Sequence, residues 1–466
     1  MDKYFNHFAA NLTNTPRYLN NNGIKKAFRD LKKYYSGSNI INFKKNKKVG
    51  LWKLPLQWEV KKGILYDPTG KKISDYSRNP LELFSNSVSF KGNIKKSDLL
   101  ENHIYSDKNR PSIIPFHYQN QFREKTKEWG FCVPYNKIKK FKNGTYKVDI
   151  QTSFKKSEME SCYYEKNGKN KNKILFVSHF DHPNQINDGL SGTLCSFELL
   201  SKLKRTKLSY AALSTPEIIG SIFFAKKYAK IKKIKHALML NFCGTKSGLV
   251  YSKTTKENTF IDQIIFHILR FKKNSKIVKF REIIGADEIA FDNEIYKIPC
   301  GSIYRWPYKD YHTNKDNFKN FNFLRFRETL NFLNEIIFII ENNSTFKNRF
   351  KDLPKLSDPS LDLYFSPRYW QTNKILFDKK RILVSDEKIQ NLIKEIEDEE
   401  LRKACWDSAK NIQLLQSYIP AKCDGNFSTL ELANLCNMPF RMVDALINLW
   451  DQKKLIKKNW INPFKK

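Results

Sequence analysis

The spacing of apolar and polar positions divides the chain into four stretches of different texture. Residues 1 to about 48 are polar and basic with helical spacing. Thr13-Asn14-Thr15-Pro16 breaks the run after Leu12, and Gly23–Tyr35 returns apolar positions at helical intervals. From Leu51 the pattern shortens to alternating runs (Leu51-Trp52-Lys53-Leu54, Trp58-Glu59-Val60, Gly63-Ile64-Leu65-Tyr66) punctuated by the turn Asp67-Pro68-Thr69-Gly70. This predicts a small β-rich unit over residues 49–155, with a strand at Gly144–Ile150. Further on, apolar strands at Ile174–Val177, Leu208–Leu213 and Ala237–Phe242 alternate with helices at Ser191–Leu203, Ser221–Ala229 and Ile261–Phe271, and a long helix follows at Phe323–Asn342. Strands separated by helices predict an α/β fold, a wound and largely parallel sheet with functional loops at the strand C-termini, over residues 156–385. Ser357–Ser366 reads as a linker and Glu387–Leu401 as a charged helix. The last stretch, residues 386–466, has helices at Trp406–Tyr418, Thr429–Cys436 and Phe440–Leu449 before a β-wing at Lys453–Ile461, which is winged helix-turn-helix spacing.

Composition changes this picture little. With 466 residues, 40% hydrophobic and 14% aromatic, the chain has material for several cores. Its apolar runs are too short to span a membrane, and no basic-then-apolar leader opens it, so a cytoplasmic protein without a membrane partner is expected. The eight cysteines include no CxxC pair, which fits a reducing compartment. A formal charge of +37 invites a nucleic-acid reading, yet the lysines are scattered through nearly every segment and read as a compositional bias. The expected recognition helix offers only Arg441 for reading base edges, so nucleic acid is not the expected partner. Homo-oligomerisation is left open by the sequence.

The chemistry is concentrated in three loops. The first strand of the wound sheet runs into Ser178-His179-Phe180-Asp181-His182-Pro183 and then Asn187-Asp188-Gly189-Leu190-Ser191-Gly192. A histidine at a strand end with an acid two residues on lets Asp181 orient the His179 imidazole, and Asp188 falls at a helix start that favours its ionised form. Imidazole and carboxylate are donors that zinc accepts. The second loop, Ser214-Thr215-Pro216-Glu217-Ile218-Ile219-Gly220, places Glu217 at the same sheet edge if the strands are parallel, where a carboxylate serves as general base or ligand. The third piece contains Ala286-Asp287-Glu288 and then Ile303-Tyr304-Arg305-Trp306 and Tyr311-His312-Thr313. Of eight histidines, three lie in the first and third loops.

These segments, in this order, resemble the zinc aminopeptidase and glutamate-carboxypeptidase-like superfamily. The closer resemblance is to a bacterial aminopeptidase-like branch with an inserted β domain and a C-terminal winged helix. It extends to Leu51–Val60, Trp129-Gly130-Phe131-Cys132, Tyr146–Ile150 and Phe427–Lys457. The resemblance implies that His179, Asp188 and His312 hold one or two zinc ions, that Asp181 orients His179, and that Arg305 contacts substrate. It sets Glu217 where the superfamily has paired glutamates, and Asp287-Glu288 against the branch's Ser-Asp-Glu element. Two departures stand out: the glutamate pair is reduced to Pro216-Glu217, and Asn241-Phe242-Cys243-Gly244 replaces the acid expected after the next strand. Cys243 is then either a thiolate ligand or an inert core residue. One zinc on His179, Asp188 and His312 is the simpler expectation, with Glu217 as general base, Asp287 or Glu288 in reserve, and His182 as the rival of His179. The expected activity is hydrolysis of a peptide or aminoacyl amide. The competing reading is a catalytically reduced scaffold that binds nucleic acid or a protein through the winged helix.

Overall fold

The structure, a computed structural model, describes residues 3–123, 127–365 and 390–465. Two compact units emerge, one of residues 1–255 with 278–329 and the other of residues 256–277 with 330–466.

A mixed sheet forms the centre of the first unit. Seven of its strands are β1 (Ser38–Phe43), β2 (Met159–Lys166), β3 (Lys173–His179), β4 (Ser209–Thr215), β5 (Ile234–Leu240), β6 (Leu249–Ser252) and β7 (Cys300–Arg305), in the spatial order β1-β2-β4-β3-β5-β7-β6. The pairs β3/β4, β3/β5 and β5/β7 are parallel, whereas β1/β2, β2/β4 and β6/β7 are antiparallel. β3 and β4 are buried at every position, as continuous apolar runs covered on both faces require. The chain passes from β3 to β4 on one side and then crosses to β5 on the other. The C-terminal end of β3 is therefore a topological switch point, where open α/β sheets form their crevice. His179 is the last residue of that strand.

The N-terminal stretch departs from its helical expectation. Helices form at Lys3–Asn14 and Asn22–Tyr34, but Ser38–Phe43 pairs with β2 as a strand because Ile41 and Phe43 are buried. The inserted segment builds a four-stranded antiparallel sheet in the order Lys72–Asp75, Gln57–Tyr66, Thr145–Lys155, Phe90–Lys95. Trp58, Phe131, Tyr146 and Val148 lie in the core beneath it.

The second unit has its own core, including Phe346, Ile412, Leu415, Met442, Leu446 and Trp450. Helices occupy Phe260–Leu269, Glu399–Ser408, Ile412–Lys422, Thr429–Leu435 and Phe440–Gln452. A three-stranded antiparallel sheet sets Ser344–Asn348 between Asp424–Ser428 and Ile456–Trp460. Its middle strand thus comes from upstream of the expected boundary at 386. The charged helix expected at 387–401 begins outside the described residues. In its described part it is interrupted: Asp398 caps a new helix by accepting the Leu401 N–H, which ends the earlier turn.

Candidate metal centre

The loop after β3 turns back on itself so that Asp188 faces His179. Gly189 makes this possible: its φ is +89°, and a Cβ there would sit 2.5 Å from the His179 ring. Asp316 fixes the turn by accepting the N–H groups of Asn187 and Asp188, each at 2.9 Å. The buried Arg17 guanidinium clamps the same loop from the N-terminal segment, donating to the carbonyls of Phe180 (2.7 Å), His182 (2.8 Å) and Gln185 (2.8 Å). Burial lowers its pKa to about 9, against the attraction of Asp181 and Asp316, so it remains cationic at neutral pH.

Three imidazoles converge on Asp188. His179 Nε2 lies 3.1 Å from Oδ1, while His182 Nδ1 and His312 Nε2 each lie 3.0 Å from Oδ2. Asn241, one residue past β5, donates from Nδ2 to Oδ1 at 3.0 Å. The other side of His179 is held by Asp287, whose Oδ2 is 3.3 Å from Nδ1. Asp287 Oδ1 accepts the Ile218 N–H at 2.9 Å and the Ser221 hydroxyl at 2.6 Å. Glu217 Oε2 stands 3.5 Å from His182 Nε2, and the Glu217 N–H donates to Asp181 Oδ1 at 2.7 Å.

Two overlapping donor sets result, His179/His182/Asp188 and Asp181/His182/Glu217, each with ligand atoms within 4.8 Å of one another. Asp188 Oδ2 and His182 Nδ1 approach closely yet both lack a hydrogen bond, and Asp181 Oδ2 is likewise buried and unpaired. Such orphaned atoms cost free energy unless something satisfies them. Imidazole and carboxylate donors gathered this closely, some of them unsatisfied, are of the kind a divalent cation takes.

The same crowding shifts the ionisation of these groups. Burial alone would make His179 a poorer base, but Asp188 and Asp287 hold its pKa well above the usual histidine range. His182 is raised to about 10, with Asp188 and Glu217 overcoming its burial. Burial works against ionisation of Asp188 and Glu217, yet the adjacent imidazoles depress both. Burial dominates at His312, which is lowered, and at Asp181, raised to about 6. Four carboxylates and three imidazoles share this space, an arrangement short of positive charge.

Two strained backbone positions border the centre. Ile218 and His312 have φ of +57° and +54°, unfavourable for residues with a Cβ and worst for a β-branched one. The Asp287 bond to the Ile218 N–H holds the first. At the second, the His312 carbonyl accepts the Phe116 N–H at 2.8 Å. Phe116 and Tyr118 bring the inserted segment over the centre, with ring centroids 5.2 Å from His182 and 4.6 Å from His312 respectively.

His179 and Asp188 fall in one donor set whose third member is His182 rather than His312; His312 reaches Asp188 from outside both sets, and Glu217 stands beside His182. Two expectations are corrected. Asp181 does not hold His179: it binds the Glu217 amide, and Asp287 carries out the orienting. Arg305 does not face the centre. Only 2% exposed, it spends its guanidinium on the Thr329 hydroxyl (2.9 Å), the Ser247 carbonyl (2.8 Å) and Glu328 (3.1 Å). Glu288 accepts the Ala286 N–H at 2.9 Å and pairs with Arg281 at 3.1 Å. Cys243 is buried, its thiol directed at the Asn241 carbonyl 3.7 Å away. Arg17, Asn241, Phe116 and Tyr118 escaped the sequence reading. Asn241 alone had a signal, standing where an acid was missed.

The fold is that of an aminopeptidase-like α/β protein. Residues 6–343 match the family described as a domain of unknown function, DUF4910, and the chain belongs to that family. A Clostridium acetobutylicum protein designated a candidate polysaccharide biosynthesis protein with an aminopeptidase-like domain is 29% identical over 338 residues, 71% of this chain and 76% of its own length. The crystal structure of a candidate peptidase from the same organism superposes with a TM-score of 0.78 at 24% identity, covering 98% of this chain and 96% of that one. A zinc aminopeptidase from Bacillus subtilis gives 0.54 at 13% identity over 72% and 94% of the two chains. No helix among the described residues is long and apolar enough to cross a membrane.

Proposed function

We propose that the protein is a zinc-dependent hydrolase that cleaves a peptide or aminoacyl amide bond. The observation that carries this reading is Asp188 Oδ2, which has two imidazole nitrogens at 3.0 Å and no hydrogen bond. His179, His182, His312 and Asp188 would hold the ion, which supplies Lewis acidity at the substrate carbonyl and a lowered pKa for water. One ion fits better than two. Asn241 presents a neutral N–H donor where a second ion would need an acid, and that donor already engages Asp188 Oδ1.

The chain's own groups divide the remaining work. Glu217 is held ionised by His182 and His179, so it can take a proton from the attacking water and pass it to the leaving amine. Asp287 is committed to His179 and Ile218, and Glu288 to Arg281, which leaves Glu217 as the base. Phe116, Tyr118 and Tyr311 line a cavity of about 380 Å³ beside His312 that would receive the substrate. Arg17, Asp287 and Asp316 position the donors. The second unit, with its three strands and helices Thr429–Leu435 and Phe440–Gln452, has the makings of a winged helix.

Glu217→Gln provides the test. Hydrolysis of aminoacyl p-nitroanilides should fall by about a hundredfold or more, in line with the loss of a general base, while zinc content stays unchanged. Retained turnover would remove Glu217 from the mechanism, and lost zinc would make it a ligand.

A further inference from the structure

His312 is the donor that the central sheet supports least. His179 is the last residue of its strand, but His312 lies in a turn well beyond the end of β7 at Arg305. Its φ of +54° is one that a residue with a Cβ keeps only where its surroundings impose it. The inserted segment supplies those surroundings. Downstream, the Phe116 N–H donates to the His312 carbonyl at 2.8 Å, and Pro115 pairs with Thr313 as an antiparallel bridge. The Asn314 N–H donates to the Ile114 carbonyl at 3.0 Å, and the Ile114 N–H returns a bond to Asn314 Oδ1 at 2.9 Å. Upstream, one side chain does the fastening. Arg110 Nη1 donates to the carbonyls of Lys309 (2.9 Å) and Tyr311 (3.1 Å).

Arg110 is itself held in place. Its Nε donates to Asp107 Oδ2 at 2.7 Å, while Asp107 Oδ1 accepts the N–H groups of Asn109 (2.9 Å) and Arg110 (3.2 Å). The Tyr311 ring stacks on the His312 imidazole with centroids 3.8 Å apart, so fixing the Tyr311 carbonyl fixes the base of a stacked pair. Arg110 also lines the cavity beside His312 and is 40% exposed, which raises a competing role as reader of a substrate carboxylate. The geometry favours the first role. Bidentate reading needs two adjacent nitrogens of the planar fork, and each edge includes one already engaged, Nε on Asp107 or Nη1 on the two carbonyls.

We propose that Arg110 is a positioning residue for the metal centre: with the Ile114–Asn314 pair, it makes the inserted segment the clamp that presents His312 to the ion. This rests on the reading of His312 as a metal ligand and adds what keeps that ligand in place. Without the clamp the turn from Lys309 to Asn314 is free to relax its strained position, and the imidazole then leaves Asp188. The inserted segment thereby sets the affinity of a centre whose other donors come from the ends of the sheet strands.

The test is the zinc affinity of the full chain, measured by competition with a chelating dye in the wild type, Arg110→Met, His312→Ala and the double variant. Arg110→Met keeps the aliphatic stem and removes the donors. Its Kd for zinc should rise about tenfold, the lower end of what groups that hold a metal ligand contribute. Charge alone predicts the opposite sign, because removing a cation near a divalent ion relieves repulsion. In the His312→Ala background Arg110→Met should weaken binding no further. With cobalt in place of zinc, the visible absorption of Arg110→Met should move toward that of His312→Ala. An unchanged or lower Kd in Arg110→Met, or the same loss in the absence of His312, would overturn the proposal. So would a raised KM at wild-type zinc affinity, the mark of a substrate contact. Should Arg110→Met lose its circular dichroism, Asn314→Ala decides: it changes no charge and should also weaken zinc, and an unchanged Kd is equally fatal. A His312→Ala chain that holds zinc like the wild type would defeat the ligand assignment together with the clamp. Weakened zinc in His312→Ala beside an unaffected Arg110→Met would defeat the clamp alone.

Discussion

Asp188 illustrates how much a single buried carboxylate can organise. One of its oxygens takes the Asn241 amide and the other faces two imidazoles without a hydrogen bond, so its charge is stabilised by geometry that suits a cation. The residues around it are set at different distances along the chain. His179 and Asp188 are nine residues apart and visible as one motif, whereas Asp287 meets His179 across 108 positions and Arg17 meets Phe180 across 163. Long-range partners leave no local pattern to read, and for that reason the positioning residues escaped the sequence while the converging donors did not. Arg305 shows the opposite error, a charged residue near a motif that is in fact a buried structural donor. Arg305→Met should lower stability by about 2 kcal/mol, because the Ser247 carbonyl and Thr329 hydroxyl lose their partner in the interior. Denaturant melts would report that loss, and KM should stay within error of wild type. A raised KM at unchanged stability would restore Arg305 to substrate binding.

Among the elements, the strands deliver the chemistry by ending together. His179 closes β3, Glu217 and Asn241 follow β4 and β5 by two residues and one, and the parallel pairing of these strands puts all three at one edge. That convergence was legible, since apolar runs alternating with helical spacing define a wound sheet. The short elements were not. Ser38–Phe43 carries too few alternating positions to declare itself against a helical background, and only the vacant edge of β2 makes it a strand. In the second unit, helix Phe260–Leu269 carries a buried histidine with a defined tautomer. His267 Nδ1–H donates to Asn434 Oδ1 at 2.8 Å, and Nε2 accepts the Phe440 N–H at 3.0 Å. Burial, against the Asn434 bond and with help from Arg270, lowers its pKa to about 4. An unfolded histidine takes up its proton near 6.5, so between those values the unfolded chain binds more protons and stability falls as pH falls. The slope contributed should reach about 1.4 kcal/mol per pH unit at its steepest. Urea melts from pH 7 to 4.5 should show it in the wild type and a flatter dependence in His267→Gln. Identical slopes in both chains would assign the acid sensitivity elsewhere.

On the scale of the whole molecule, charge is distributed in an instructive way. The chain carries a formal +37, yet its centre gathers four carboxylates, with Arg17 as the fixed cation behind them. The fold agrees with the aminopeptidase-like expectation, and the inserted segment reaches the centre through Phe116 and Tyr118, which no periodicity along the chain announces. The central claim is that His179, His182, Asp188 and His312 clasp a divalent cation. The most direct measurement is metal analysis of the purified chain after exhaustive dialysis against zinc-free buffer, side by side with Asp188→Ala. The wild type should retain about one zinc per chain, as a site of three imidazoles and a carboxylate would, and Asp188→Ala should retain almost none while keeping its circular dichroism. A wild-type chain that emerges free of metal and cannot be reloaded, or a variant that holds zinc as firmly, would contradict the account.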